Sequence, residues 1–166
     1  ALDGVTADIA IRYGGGRWPG LVAEKLFDNT FVPVCSPHLG LRNVADLPKH
    51  PLIHFRAQAA LSAPIHWASW QKLANVPGLD VSAGLVFSDE THAISAAIGA
   101  QGVALMSRQL IEDELREGRL VQPFGPEMEG KPFHLVYPEG RWDDPTVRAV
   151  REWVMAVPGG LCELTG

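Results

Sequence analysis

Arg12, Tyr13, Ser88, Glu90, Thr91, His134 and the pair Cys35-Ser36 are the side chains whose types and positions suit binding or proton chemistry. Arg12 and Tyr13 end an otherwise apolar run, "DIAIRY". An arginine placed there suits a carboxylate or phosphate through a two-pronged hydrogen bond. The competing reading is an internal ion pair with an Asp or Glu. Ser88-Asp89-Glu90-Thr91 closes a strand and opens a helix. Free backbone N–H groups and the helix dipole attract anions at such a place, and Ser88 and Thr91 add hydroxyl donors. Asp89 and Glu90 oppose an anion, and plain N-capping by Ser88 or Asp89 accounts for the same residues. His134 sits alone among Phe133, Leu135 and Val136, where a histidine is ordinarily structural. Cys35 or Ser36 with a histidine base would make a nucleophile, but no GxSxG elbow presents either one. "GGGR" (Gly14 to Arg17) lacks the Gly-Lys-Ser/Thr of a phosphate loop and opens no helix, since Trp18-Pro19-Gly20 follows. Trp67 and Trp70 share a helix face and read as packing residues.

These groups need elements to hold them. The chain has 166 residues, 46% hydrophobic and 20% charged, which suits one domain or two small lobes. Its net charge of -5 argues against wrapping nucleic acid by itself. The two cysteines, Cys35 and Cys162, lie far apart and form no CxxC, so a reducing, cytoplasmic setting is the simpler reading. The histidines show no metal-ligand spacing, and nothing implies a cofactor. No apolar run reaches about eighteen residues, so no membrane partner is expected. The chain opens almost directly into a strand with no basic leader, which reads as a fragment of a longer protein.

The pattern is α/β. "ADIAIRY" reads as a strand buried on both faces of a parallel sheet. "LVAEKLF" is a second strand, and "TFVPVCSP" a third, placed at an edge or a crossover because Pro33 removes a ladder donor. Ser36-Pro37 starts a short helix and "LIHF" forms a short strand. Leu85 to Phe87, a helix with Ile94, Ala97, Ile98 and Gln101 at helical spacing, and Val103 to Met106 make a βαβ unit with a directly paired parallel strand pair. Gly102 reads as the glycine after that helix. Ser107 caps the next helix, Glu112 and Arg116 pair at i,i+4, and Leu120 to Phe124 is a short strand. "PFHLVYP" is a further strand, and Asp144-Pro145 opens a last helix that Pro158-Gly159 stops.

"DIAIRYGGGRWPGL", "PVCSP", "DLPKHPLI", "AIGAQGVALM" and "HLVYP", in this order, resemble the effector-binding domain of LysR-type transcriptional regulators, in the branch of the glycine-cleavage activator and the β-lactamase regulator. The resemblance covers nearly the whole chain. It implies a two-lobed fold like type 2 periplasmic binding proteins, with "TFVPVCSP" and "PFHLVYP" as crossover strands. Lobe one would hold residues 1–30 and 135–166, and lobe two residues 31–134. A first strand-helix-strand unit and the winged helix-turn-helix that contacts DNA would precede this chain, so lobe one is incomplete. Carried onto this sequence, the effector cleft takes Arg12 and Tyr13 from lobe one, Ser88, Glu90 and Thr91 from lobe two, and Ser36 and His134 beside the crossovers.

The reading is an effector-sensing domain that performs no catalysis. A small amino acid, organic acid or peptide binds it and controls DNA binding or transcription by a longer homodimeric or homotetrameric protein. The alternative is a stand-alone solute-binding protein of a transport system on the same fold.

Overall fold

A computed structural model describes residues 8–55 and 65–156. Its strands are β1 (Ala10–Tyr13), β2 (Leu21–Phe27), β3 (Thr30–Val34), β4 (Leu52–Phe55), β5 (Leu85–Phe87), β6 (Val103–Ser107), β7 (Met128–Glu129) and β8 (Phe133–Pro138). Its helices are α1 (Trp67–Ala74), α2 (Glu90–Ile98), α3 (Glu112–Arg116) and α4 (Pro145–Ala156). The chain divides into two compact units. Unit 2 is Thr30–Glu129, and unit 1 combines the described residues up to Asn29 with those from Gly130 onward. Residues 130–134 therefore belong with unit 1, because Phe133 and His134 already lie in β8.

Unit 1 is a three-stranded antiparallel sheet in the order β1-β8-β2. The parallel, doubly buried strand expected for "ADIAIRY" is not what forms. All four residues of β1 are half-buried, and the strand pairs with β8, which returns from far along the chain in the opposite sense. Helix α4 starts as its sequence predicts: Asp144 Oδ1 accepts the Thr146 N–H at 2.9 Å. Arg151 on α4 grips Glu24 on β2 with Nε to Oε2 at 2.6 Å and a second N–H to Oε1 at 2.8 Å. The predicted stop at Pro158-Gly159 lies outside the described residues.

Unit 2 carries a mixed five-stranded sheet in the order β5-β4-β6-β3-β7. Strands β5 and β6 both run parallel to β4. The β5-α2-β6 grammar is correct, but the two strands are not directly paired: β4 lies between them. Strand β3 runs antiparallel between β6 and the two-residue β7. Pro33 is tolerated there for a geometric reason. The Cys35 N–H donates to the Val121 carbonyl, and alternate residues point the same way, so the donor Pro33 lacks faces the gap between β7 and that bridge. Leu120 to Phe124 forms no strand beyond this one bridge, since Pro123 cannot extend a ladder.

Two apolar clusters cover the two faces of this sheet. One joins Val32, Val34, Ile53, Ala104 and Met106 to Ala93, Ala96 and Ala97 of α2. The alanines let α2 approach the sheet closely, so Ile94 and Ile98 flank the contact and Gln101 is exposed. The other cluster gathers Leu47, Leu52 and Val103 around Trp67 and Trp70 of α1. The two indole rings meet edge to face at 5.3 Å, and their N–H groups donate to the carbonyls of Ile53 and Pro126. His66 caps α1, its Nδ1 accepting the Ser69 N–H.

Further details differ from the pattern reading. Helix α2 ends at Gly99, not at Gly102. Gly102 is small because a Cβ there would strike the Pro51 backbone carbonyl. A 3-10 turn, Arg108–Ile111, precedes α3, and the Ser107 side chain makes no cap hydrogen bond. Arg116 pairs with Asp113 in place of Glu112. Among the described residues, no helix is long and apolar enough to cross a membrane.

Candidate functional site

In unit 2 the parallel strands β4, β5 and β6 end at Phe55, Phe87 and Ser107. Helix α2 begins just beyond β5, so its first turn lies at the carboxyl edge of the sheet, where open α/β folds bind ligands. Asp89 is the cap. Its Oδ1 accepts the Thr91 N–H at 2.8 Å and the His92 N–H at 3.4 Å. Those hydrogen bonds, His92 first and Thr91 next, hold the Asp89 carboxyl below the usual range. Glu90 moves the other way: burial raises its carboxyl, and the neighbouring Asp89 charge adds to the rise. An external anion would have to displace Asp89, so the anion reading of this helix start does not hold and capping prevails. With the exposed hydroxyls of Ser88 and Thr91, the turn is suited to accept hydrogen bonds from hydroxyl, amide or ammonium groups.

Ser36 does not join this group. It is 1% exposed, and its N–H donates to the Ala97 carbonyl near the other end of α2. That is about 10 Å along the helix from Glu90. Its hydroxyl makes no cap hydrogen bond to the 3-10 turn Pro37–Leu39 that it precedes. Cys35 beside it is fully buried, and burial pushes its thiol up to about 11. A thiol that stays protonated at neutral pH is no nucleophile.

In unit 1 the ladder sets Arg12 opposite His134 and Tyr13 opposite Phe133. Side chains alternate along a strand, so Arg12 and His134 share one face and Tyr13 takes the other. The Tyr13 ring packs on Phe133 at 5.4 Å, and its hydroxyl oxygen accepts the Lys131 N–H at 3.0 Å. The structure therefore brings Arg12 to His134 and leaves Tyr13 apart from both. Among the described residues Arg12 makes no ion pair; its guanidinium lies 5.9 Å from the centre of the Trp18 ring. The same ring meets His134 edge-on at 5.5 Å.

Sequence reasoning missed Trp18 and Asp89 as sole cap; it ended β4 and β5 correctly at Phe55 and Phe87 but stopped β6 one residue before Ser107. The signals were present. Gly14 and Gly16 bracket the space that Trp18 and His134 fill: a Cβ on Gly14 would lie 2.8 Å from Trp18, and one on Gly16 2.7 Å from His134 Nε2.

The chain is an α/β protein in two compact units. The family model described as the LysR substrate binding domain matches residues 1–158, and the chain belongs to that family. The chain is 35% identical to the glycine cleavage system transcriptional activator of Escherichia coli K12, across 90% of this chain and 49% of that protein. It is 28% identical to the transcriptional activator AmpR of Pseudomonas aeruginosa, across 89% of this chain and 49% of that protein. It thus spans about half the length of the curated relatives it matches. Among solved structures, the effector domain of Pseudomonas aeruginosa AmpR superposes with a TM-score of 0.73 at 27% identity, over 93% of this chain and 74% of that one. The AmpR effector-binding domain of Citrobacter freundii gives 0.71 at 27%, over 89% and 72%.

Proposed function

We propose that this chain is the effector-sensing part of a bacterial LysR-type transcriptional regulator. The observation that carries the reading is the family match over residues 1–158, joined to the likeness to AmpR effector domains. A small metabolite binds the domain and biases it between two states. The longer protein, a homodimer or homotetramer in the cytoplasm, reads that bias through an N-terminal winged helix-turn-helix. The differential affinity needed is about 1–3 kcal/mol, as in other allosteric couplings. No reaction is catalysed. The contacts proposed are Ser88, Glu90 and Thr91 of unit 2. Relatives that are transcriptional activators favour this reading over the transport-system binding protein.

The experiment has two parts. The sequence upstream in the gene encodes a helix-turn-helix if the regulator reading is right; a secretion signal there sinks it. Second, the full-length protein drives a reporter from its own promoter region while amino acids, small carboxylates and cell-wall peptides are supplied. The expected result is a response to one class that Ser88→Ala and Thr91→Val weaken. A reporter indifferent to the whole panel overturns the reading.

A further inference from the structure

His134 is 7% exposed, and its ring nitrogen Nδ1 is buried with no hydrogen-bond partner. Buried polar atoms in folded proteins nearly always have partners, so an unmet one marks where a partner belongs. Its surroundings give the second observation. Arg12 lies directly opposite on β1, and Lys25 directly opposite on β2. Residues paired across a ladder point to the same face, so three basic side chain types form one row. Lys25 is already paired with Asp28 at 2.6 Å. Arg12 has no carboxylate among the described residues and rests on the Trp18 ring. Glu24, next to Lys25, faces the other side and is taken by Arg151. The row therefore holds an uncompensated guanidinium beside an imidazole whose buried Nδ1 has no partner.

The pair is also held in place. Trp18 packs against both side chains, and the backbone at Gly16 closes on the far nitrogen of His134. A ring clamped on one edge presents the other in a fixed direction.

We infer that Arg12 and His134 form a carboxylate-binding site on unit 1. Arg12 supplies the two-pronged N–H fork, and His134 supplies the N–H of its unpartnered nitrogen. A planar fork with one imidazole matches a carboxylate; phosphate is more commonly cradled by helix N-termini or backbone nests, and this row has neither. The inference rests on the effector-sensing reading in so far as the carboxylate belongs to the effector. Free carboxylate anions are the other source.

The test uses the whole chain with nitrogen-labelled histidine. Acetate, succinate and glycine are titrated in while the ring nitrogens are followed by NMR, with His134→Gln assigning the signal and inorganic phosphate as the contrast. The expected result is a saturable shift of the His134 Nδ1 resonance by at least one carboxylate. Arg12→Met weakens that binding by about tenfold or more, Arg12→Lys recovers only part of it, and Arg17→Met leaves it unchanged. No saturable shift with any carboxylate, an undiminished shift in folded Arg12→Lys, or a preference for phosphate overturns the site. The two readings separate in the reporter. If carboxylates move His134 but the full-length regulator responds to an effector equally well with Arg12→Met or Arg12→Lys, the site takes free anions, not the effector, and the regulator stands. If carboxylates move His134 but no compound moves the reporter, the site stands without the regulator.

Discussion

Gly84 lies against the carbonyl of Leu52 so closely that a Cβ at position 84 would overlap it. The contact joins the entry of β5 to the start of β4, and Gly84 also holds φ at +130°, where other residues are strained. Gly84→Ala is expected to cost about 3 kcal/mol or more. For a chain of this size that lowers the thermal midpoint by roughly 6–12 °C, measured by circular dichroism. Gly78→Ala, also at positive φ but with nothing within 4 Å, should cost distinctly less. Equal losses at the two positions would dismiss the close approach as the cause.

The start of α2 predicts a signed pH response. Asp89 has a lowered carboxyl, held by the His92 and Thr91 N–H groups. Its cap is fully present above the ordinary carboxylate range and is lost as pH falls through the lowered value. Asp89→Asn keeps a cap at all pH values, so it should flatten the acid limb of the stability curve. Glu90 has the opposite sign: its raised carboxyl favours the fold below the ordinary range, and that gain is lost as pH rises through the raised value. Glu90→Gln should therefore raise the midpoint at neutral pH. Denaturation at stepped pH values checks both, and an unchanged acid limb in Asp89→Asn would remove the cap argument.

Cys35 predicts a protected thiol. With burial raising it to about 11, it should resist a thiol reagent near neutral pH in the folded Cys162→Ser variant and react fully once denatured. Rapid modification of the folded variant would show that the strand end opens readily.

Trp67 predicts a large core effect. It is 2% exposed, and its N–H donates to the Ile53 carbonyl at 2.9 Å. Trp67→Ala should cost about 3–5 kcal/mol. Trp67→Phe should cost about 1–3 kcal/mol, since it keeps most of the packing and leaves that buried carbonyl unmet. Urea titration of both variants reads the difference. A Phe variant as unstable as the Ala variant would mean the hydrogen bond, not packing volume, dominates.

Most of unit 2 was legible because its signals are local. A proline after Ser36, an aspartate before α2 and the switch from strand to helical spacing each act within a few residues. What stayed hidden depends on distant partners. Nothing within "LVFSDETHAISAAIGAQGVALM" tells that β4 takes the place between β5 and β6. Gly102 could not be told from a helix-ending glycine until Pro51 was seen against it. The site followed the same division. Ser88, Glu90 and Thr91 were found together because they adjoin in sequence. Ser36 stands apart from them, its N–H on the Ala97 carbonyl near the far end of α2, because a crossover strand has two ends and the sequence does not mark which one faces the α2 start. Arg12 and His134 became a pair only through the β1–β8 register.

The division of the chain has a consequence for how the protein is made. Unit 2 is one continuous stretch, Thr30–Glu129, whereas the sheet of unit 1 has its central strand, β8, on the far side of that stretch. Tyr13 waits 118 residues for Lys131, and Glu24 waits 127 for Arg151. On the ribosome, at about 5–20 residues per second, unit 2 can finish while β1 and β2 still have no partner. Nascent chains halted just after Glu129 should thus shield unit 2 from protease and leave β1 and β2 open to cleavage. Strands β1 and β2, made before unit 2, complete their sheet only after it.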